Sequence, residues 1–188
     1  MNVSTSAESR PNSSAPETAL VEVFTGDGRG KTSAALGIVL RALGHGLRVH
    51  VVFFMKGEYP YGEQKSLAEL PGVSFSRFGS LDFIDPERIE ESDRTEARKG
   101  LEDARRATMS GHYDLVILDE VNLACAWRLV EMEAVEALIR EKPEKVELIL
   151  TGRRAPARLL ELADVVTEMK EVKHPYTKGV LSRRGVDY

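Results

Sequence analysis

From Leu20 onward, short runs of β-branched and aliphatic residues alternate with stretches of helical period. Leu20–Phe24, Arg48–Phe54, Val73–Phe78, Asp114–Leu118, Val146–Leu150 and Val165–Met169 have the length and composition of strands. Helices are expected to begin near Lys31, Gly62, Pro86, Glu131 and Pro156. Val49–Phe54 and Leu115–Leu118 are nearly continuous apolar runs, the pattern of strands covered by helices on both faces of a parallel sheet. Regular alternation of strand and helix builds βαβ units, so the chain predicts an α/β fold with a mostly parallel sheet between helix layers. There is no internal repeat. The stretch Pro86–Ser110 is strongly charged and is expected to form one long helix with a solvated face.

The first nineteen residues break the pattern. They are rich in Ser, Pro, Asn and Thr and nearly devoid of large apolar side chains, too little to offset the entropy of ordering. Residues 1–19 are therefore expected to be a flexible tail, or a segment that orders over a ligand or a partner subunit, and residues 20–188 a single domain. A chain of 188 residues with 42% hydrophobic positions suits that division.

Charge narrows the partners. Charged residues make up 30% of the chain in both signs, with a formal net charge of -4, so no basic footprint for nucleic acid or an anionic membrane surface is present. No apolar run approaches the ~20 residues that span a bilayer, and the start lacks the basic and apolar regions of a secretory signal. The single cysteine, Cys125, has no partner for an internal disulfide or a CxxC metal site and is expected to be a small buried hydrophobe. A cytoplasmic protein is the expectation.

Chemistry enters at the end of the first strand. Val21–Phe24 runs into Thr25-Gly26-Asp27-Gly28-Arg29-Gly30-Lys31-Thr32-Ser33, and Ala34 to Leu40 continue as a helix. Strand, glycine-rich turn, Gly-Lys-Thr and helix form the context of a phosphate loop, and hence a P-loop NTPase-like three-layer α/β/α fold. Glycines let backbone N–H groups face one anion, and the helix N-terminus adds partial positive charge. Lys31 would neutralise phosphate oxygens, and the Thr32 hydroxyl would hold Mg²⁺ or Mn²⁺. The residues Gly26, Asp27, Gly28, Arg29, Gly30, Lys31 and Thr32 are thus the candidate ATP contacts. Thr25 stands where the strict Walker pattern has glycine.

A second acidic element ends another strand: Val116-Ile117-Leu118-Asp119-Glu120. Ligands of open α/β sheets lie beyond the carboxyl ends of the strands, so Asp119 and Glu120 are expected beside the phosphate loop as metal-side acids. The alternative is an acid pair capping a helix. No Asn-Lys-x-Asp guanine-reading motif occurs, which favours ATP over GTP.

The remaining motifs resemble the ATP:corrinoid adenosyltransferases, in the branch acting on cob(I)yrinic acid a,c-diamide and cobalamin. The resemblance spans roughly Val21 to Tyr188. Its carriers are Phe24-Thr-Gly-Asp-Gly-Arg-Gly-Lys-Thr-Ser33, Arg41-Ala-Leu-Gly-His-Gly46, Phe53-Phe-Met-Lys-Gly57 with Gly62-Glu63, and Ile117-Leu-Asp-Glu-Val-Asn122. Further carriers are Thr151-Gly-Arg-Arg-Ala-Pro156, Ala163–Met169 and His174-Pro-Tyr-Thr-Lys-Gly179. The phosphate loop, Thr25 included, fits this family better than the strict Walker pattern.

The resemblance implies transfer of a 5′-deoxyadenosyl group from ATP to the Co(I) of a reduced corrinoid, with triphosphate leaving. It also implies a nucleotide reversed in the loop, a homodimer, and an external reductant for which a flavoprotein is the candidate. Lys31 and Glu120 are its candidate catalytic residues; Thr32, Glu120 and Asp119 the candidate metal ligands. Aromatic side chains over the corrin would fall near Phe78 and Phe83, where the match is loose and a core role stands beside it. Trp127 is expected on a helix with Leu123, Ala124 and Val130, in the core. Tyr59, Pro60 and Tyr61 occupy a loop where many relatives carry a tryptophan. His174 and Tyr176 either close over substrate or pack on the sheet. A different class, a kinase or ATPase acting at the γ-phosphate, would need a base or an arginine finger, for which Arg153 and Arg154 are the candidates. A non-catalytic ATP sensor would bind ATP and turn nothing over.

Overall fold

The computed structural model describes residues 18–57, 61–80, 84–174 and 179–187. Six strands form one sheet: β1 (Val21–Thr25), β2 (Val49–Phe53), β3 (Val73–Arg77), β4 (Leu115–Asp119), β5 (Glu147–Thr151) and β6 (Val165–Glu168). Every expected strand is present, shifted by a residue or two at its ends. All pairings are parallel, in the order β3-β2-β4-β5-β1-β6. The architecture is the expected α/β one, with β5 inserted between the strand that feeds the phosphate loop and the strand that carries the acids.

The helices are α1 (Lys31–Gly44), α2 (Gly62–Glu69), α3 (Glu91–Met109), α4 (Val121–Ala126), α5 (Met132–Glu141) and α6 (Ala157–Leu162). The period of two along each strand divides the core between them. Val49, Val51, Phe53, Leu115 and Ile117 pack with Ala35, Val39 and Ala42 of α1 and Leu67 of α2. Val52, Val116, Leu118, Leu148 and Leu150 face Ala97 and Ala104 of α3, Ala124 of α4, Val135 and Leu138 of α5 and Leu159 of α6. Helices thus cover both faces of the sheet, which is why β2 and β4 lack simple polar alternation. Where β2 presents His50 to the α3 side, Asp103 answers it, with Nε2 3.0 Å from the carboxylate.

Three local expectations need correction. The charged helix begins at Glu91 rather than near Pro86, because Asp85 holds a tight turn with its side chain accepting the Glu87 N–H at 2.9 Å. Asp93 then accepts the Glu90 N–H at 2.9 Å and starts α3. Trp127 does not continue into a helix with Val130. It terminates α4, where Arg128 adopts φ 55° and the Leu129 N–H returns to the Ala124 carbonyl at 2.8 Å. Finally, Ala19 belongs to the folded body: it is buried, and its carbonyl accepts a bond from Lys142 Nζ at 3.0 Å. Residues 1–17 of the expected tail, together with Tyr59, Pro60, Phe83 and Tyr176, lie outside the described residues.

Candidate active site

Thr25 is the last residue of β1, and its hydroxyl accepts the Ala155 N–H at 3.2 Å. A glycine there would lose this tie between β1 and the loop after β5, which gives the departure from the Walker pattern a physical reason. The turn itself starts at Gly26 with φ 92° and ends at Gly30 with φ 111°, both in the region that favours glycine. Close approach adds a second demand. A Cβ on Gly26 would lie 2.4 Å from the Met169 carbonyl oxygen, and one on Gly28 2.7 Å from it. The end of β6 therefore lies directly against the phosphate loop, and the Gly28 N–H is donated to Met169 at 2.7 Å.

Lys31 opens α1 and is buried, with Nζ donating to the carbonyls of Gly26 at 2.8 Å and Gly28 at 2.6 Å. Its ammonium spans the concave side of the loop. Burial lowers its pKa and Arg153 adds to that, against the pull of Glu120 and Asp27. A cation held by neutral carbonyls, with its charge under strain, is poised to exchange those carbonyls for phosphate oxygens.

Asp119, 1% exposed at the end of β4, is the hub of the site. Its Oδ1 accepts from Thr32 Oγ1 at 2.8 Å and from Thr151 Oγ1 at 2.7 Å, and its Oδ2 accepts from Lys56 Nζ at 2.6 Å. Thr151 comes from β5, the strand lying between β1 and β4, and its own oxygen accepts the Glu120 N–H at 3.0 Å. Phosphate loop and acid pair are thereby wired together across three strands.

Glu120 is half-buried and sits at φ 67°, as the residue before α4. Burial raises its carboxyl pKa and Asp119 raises it further, against Lys56, Lys31 and Arg153. Behind it, Gly152 has φ 133° and no room for a side chain: a Cβ would lie 3.0 Å from Asn122 Cβ and 3.2 Å from Glu120 Oε2. Asn122 Nδ2 donates to the Phe24 and Gly152 carbonyls, both at 3.1 Å, locking the end of β1 to the loop after β5. Its Oδ1 is buried and finds no partner among the described residues.

The donor chemistry suits a hard divalent cation coordinated partly by phosphate. Among the described residues no three His, Cys, Asp or Glu side chains gather into an all-protein cage. Thr32 donates its O–H in a hydrogen bond to Asp119, which leaves the hydroxyl's lone pairs free, and Glu120 supplies a carboxylate close by. Mg²⁺ characteristically takes one or two protein oxygens and completes its shell with phosphate and water.

Sequence reasoning placed Gly26 to Thr32, Asp119 and Glu120 as candidates, and the fold brings all of them to the carboxyl edge of the sheet. Asp27 and Arg29 are exposed there, and Arg29 forms an ion pair with Asp187 at 2.5 Å while donating to the Val186 carbonyl at 3.1 Å. Phe78 packs against α3, with Cδ2 3.2 Å from where a Gly100 Cβ would be, and belongs to the core margin. Its carbonyl accepts the Lys56 N–H at 3.1 Å. Arg41 lies exposed near the far end of α1, away from the loop. Trp127 borders the core, and its Nε1 is buried with no partner among the described residues. Lys56, Thr151 and Asn122 were not singled out from sequence as site residues. Each sits within a motif, but only the fold closes the 63-residue separation between Lys56 and Asp119.

Comparisons with known proteins identify the family. The family profile described as ATP:corrinoid adenosyltransferase BtuR/CobO/CobP matches residues 17–188. The chain is similar to the corrinoid adenosyltransferase of Escherichia coli K12, 39% identical across 92% of this chain and 87% of that one. It is 36% identical to the corrinoid adenosyltransferase CobA of Salmonella typhimurium LT2, again over 92% and 87%. For the corrinoid adenosyltransferase of Pseudomonas aeruginosa PAO1 the identity is 35%, over 92% and 85%.

Proposed function

Since the chain belongs to the ATP:corrinoid adenosyltransferase family, we propose that it alkylates the Co(I) of cob(I)yrinic acid a,c-diamide or cobalamin with the 5′-deoxyadenosyl group of ATP and releases triphosphate. The observation that carries this reading is the union of the glycine loop with the Asp119–Glu120 edge through Thr32 and Thr151. In the reaction the Co(I) lone pair attacks C5′, a Co–C bond forms, and the C5′–O bond breaks with its electrons leaving on triphosphate. Cobalt passes formally from I to III.

The protein's task is to stabilise a highly charged leaving group, since the corrinoid itself supplies the nucleophile. Lys31 leaves the Gly26 and Gly28 carbonyls for phosphate oxygens, and the helix N-terminus and loop amides add their dipoles. Thr32 and Glu120 would hold Mg²⁺, which when bound would neutralise triphosphate charge. Asp119 orients Thr32. The reading includes a cytoplasmic homodimer supplied with reduced corrinoid by a flavoprotein; among the described residues no helix is long and apolar enough to cross a membrane.

Anaerobic incubation with MgATP and chemically reduced cobalamin tests it. Adenosylcobalamin and triphosphate in equal amounts, both lost in Lys31→Ala, are expected. ADP and phosphate with no new cobalt–carbon bond would replace the reading with phosphoryl transfer.

A further inference from the structure

Asp119 is the acid nearest Thr32, yet its bonding capacity is almost spent. A carboxylate oxygen accepts about two hydrogen bonds. Oδ1 already takes Thr32 and Thr151, so only Oδ2 could reach a cation, and there Lys56 Nζ sits at 2.6 Å, where its positive charge repels a metal ion from the remaining lone pair. Lys56 is held there from several sides. Its side chain is 12% exposed, its N–H is bonded to Phe78, and its ammonium lies 5.4 Å from the Phe53 ring centre and 5.1 Å from that of Tyr61. The next residue, Gly57, fits only without a side chain, since a Cβ would lie 2.4 Å from the Ser80 carbonyl oxygen. Glu63 Oε1, on α2, stands 3.9 Å from the same ammonium.

We propose that Lys56 is a positioning residue of the metal–nucleotide site, which occupies Asp119 Oδ2 and so keeps that carboxylate out of the inner shell of the cation. The cation is thereby left to Thr32, Glu120, phosphate and water, loosely enough to depart with triphosphate. Lys56 also sets the net charge. With it, the three acids Asp119, Glu120 and Glu63 are opposed by a buried cation on the side away from Lys31. The inference rests on the metal–nucleotide part of the proposed function and not on the corrinoid.

The test is a Mg²⁺ titration of ATP binding by calorimetry at pH 8, without corrinoid, on wild type, Lys56→Met and Lys56→Arg. Removing a unit charge several ångströms from the cation should lower the half-saturating Mg²⁺ on the order of tenfold in Lys56→Met. Lys56→Arg, which keeps the charge, should stay within about twofold of wild type. In turnover, Lys56→Met should show a reduced kcat with tighter metal dependence. A side chain that merely supported the fold would loosen metal and ATP together when lost. An unchanged or raised Mg²⁺ requirement in Lys56→Met overturns the proposal, as does complete loss of ATP binding in a folded variant. Should Lys56→Met fail to fold, Lys56→Leu, which likewise leaves Oδ2 without a donor or a charge, is read the same way. Wild type that makes no adenosylcobalamin, beside a Lys56→Met that shows the expected shift, would sink the transfer reading and leave this one standing.

Discussion

Replacing Asp119 by asparagine probes the hub with the least change of shape. The amide oxygen can still accept from Thr32 and Thr151, but the NH₂ then faces Lys56 Nζ, donor against donor, where a 2.6 Å ion pair stood. Asp119 is 1% and the Lys56 side chain 12% exposed, so water replaces little of what is lost. Removing one partner of a buried pair costs about 3–5 kcal/mol, because the other charge stays behind. Glu63, 3.9 Å from Lys56, softens the loss and puts the expectation at the lower end, about 3 kcal/mol. For a chain of this size that corresponds to a melting temperature lower by about 6–12 °C. Urea unfolding of Asp119→Asn, Lys56→Met and the double variant gives the decisive number. Once the ammonium is gone the asparagine has nothing to oppose, so the double variant should be more stable than the sum of singles by about 2 kcal/mol. Additivity within about 0.5 kcal/mol, or an Asp119→Asn cost below about 1 kcal/mol, would refute the view of a coupled buried pair.

Three further outcomes are open to measurement. Arg128 is exposed at φ 55° in the turn that closes α4, so Arg128→Gly should stabilise the protein by about 0.5–1 kcal/mol in urea melts. Burial pushes the Cys125 thiol up to about 12. At pH 8 only about one thiol in ten thousand is then thiolate, and Ellman's reagent should react only after unfolding. Arg158 and Arg140 hold the Glu136 carboxyl down at about 2, against 4.5 ordinarily. A depressed acid contributes stability above its unfolded pKa and loses it as pH falls through the folded one. The gap between wild type and Glu136→Gln should therefore be full near pH 7, shrink below about 4.5 and vanish near 2 in acid-dependent melts.

Much of the fold was legible because β1, β2, β4 and β5 are mostly buried apolar runs, while the edge strands β3 and β6 are partly or fully exposed and were marked by their β-branched and aromatic residues. Val21–Thr25 and Leu115–Asp119 were displaced by one residue from expectation, since the last strand residue is polar and carries the site. The start of α3 was misplaced because the first residue that can begin a helix by periodicity, Pro86, lies inside a turn set by Asp85. Arg128 hid the end of α4, as nothing in its chemistry signals a left-handed conformation. The phosphate loop and the acid pair were local motifs and therefore readable. Lys56 was not, because its role depends on β2 lying beside β4, and strand order has no local signature.

The place of β5 has a consequence for how the site tolerates change. Neighbouring strands stand about 4.8 Å apart, so inserting β5 sets β1 and β4 nearly 10 Å from each other at their carboxyl ends, roughly the girth of a hydrated cation with a phosphate beside it. A strand that brings neither the glycine loop nor an acid to the site thus sets the gauge of the cleft. Thr151 is its one polar foothold there, a hydroxyl that no substrate need touch. Thr151→Val would keep the width and cut the wire, separating the geometry of the gap from the electrical contact across it.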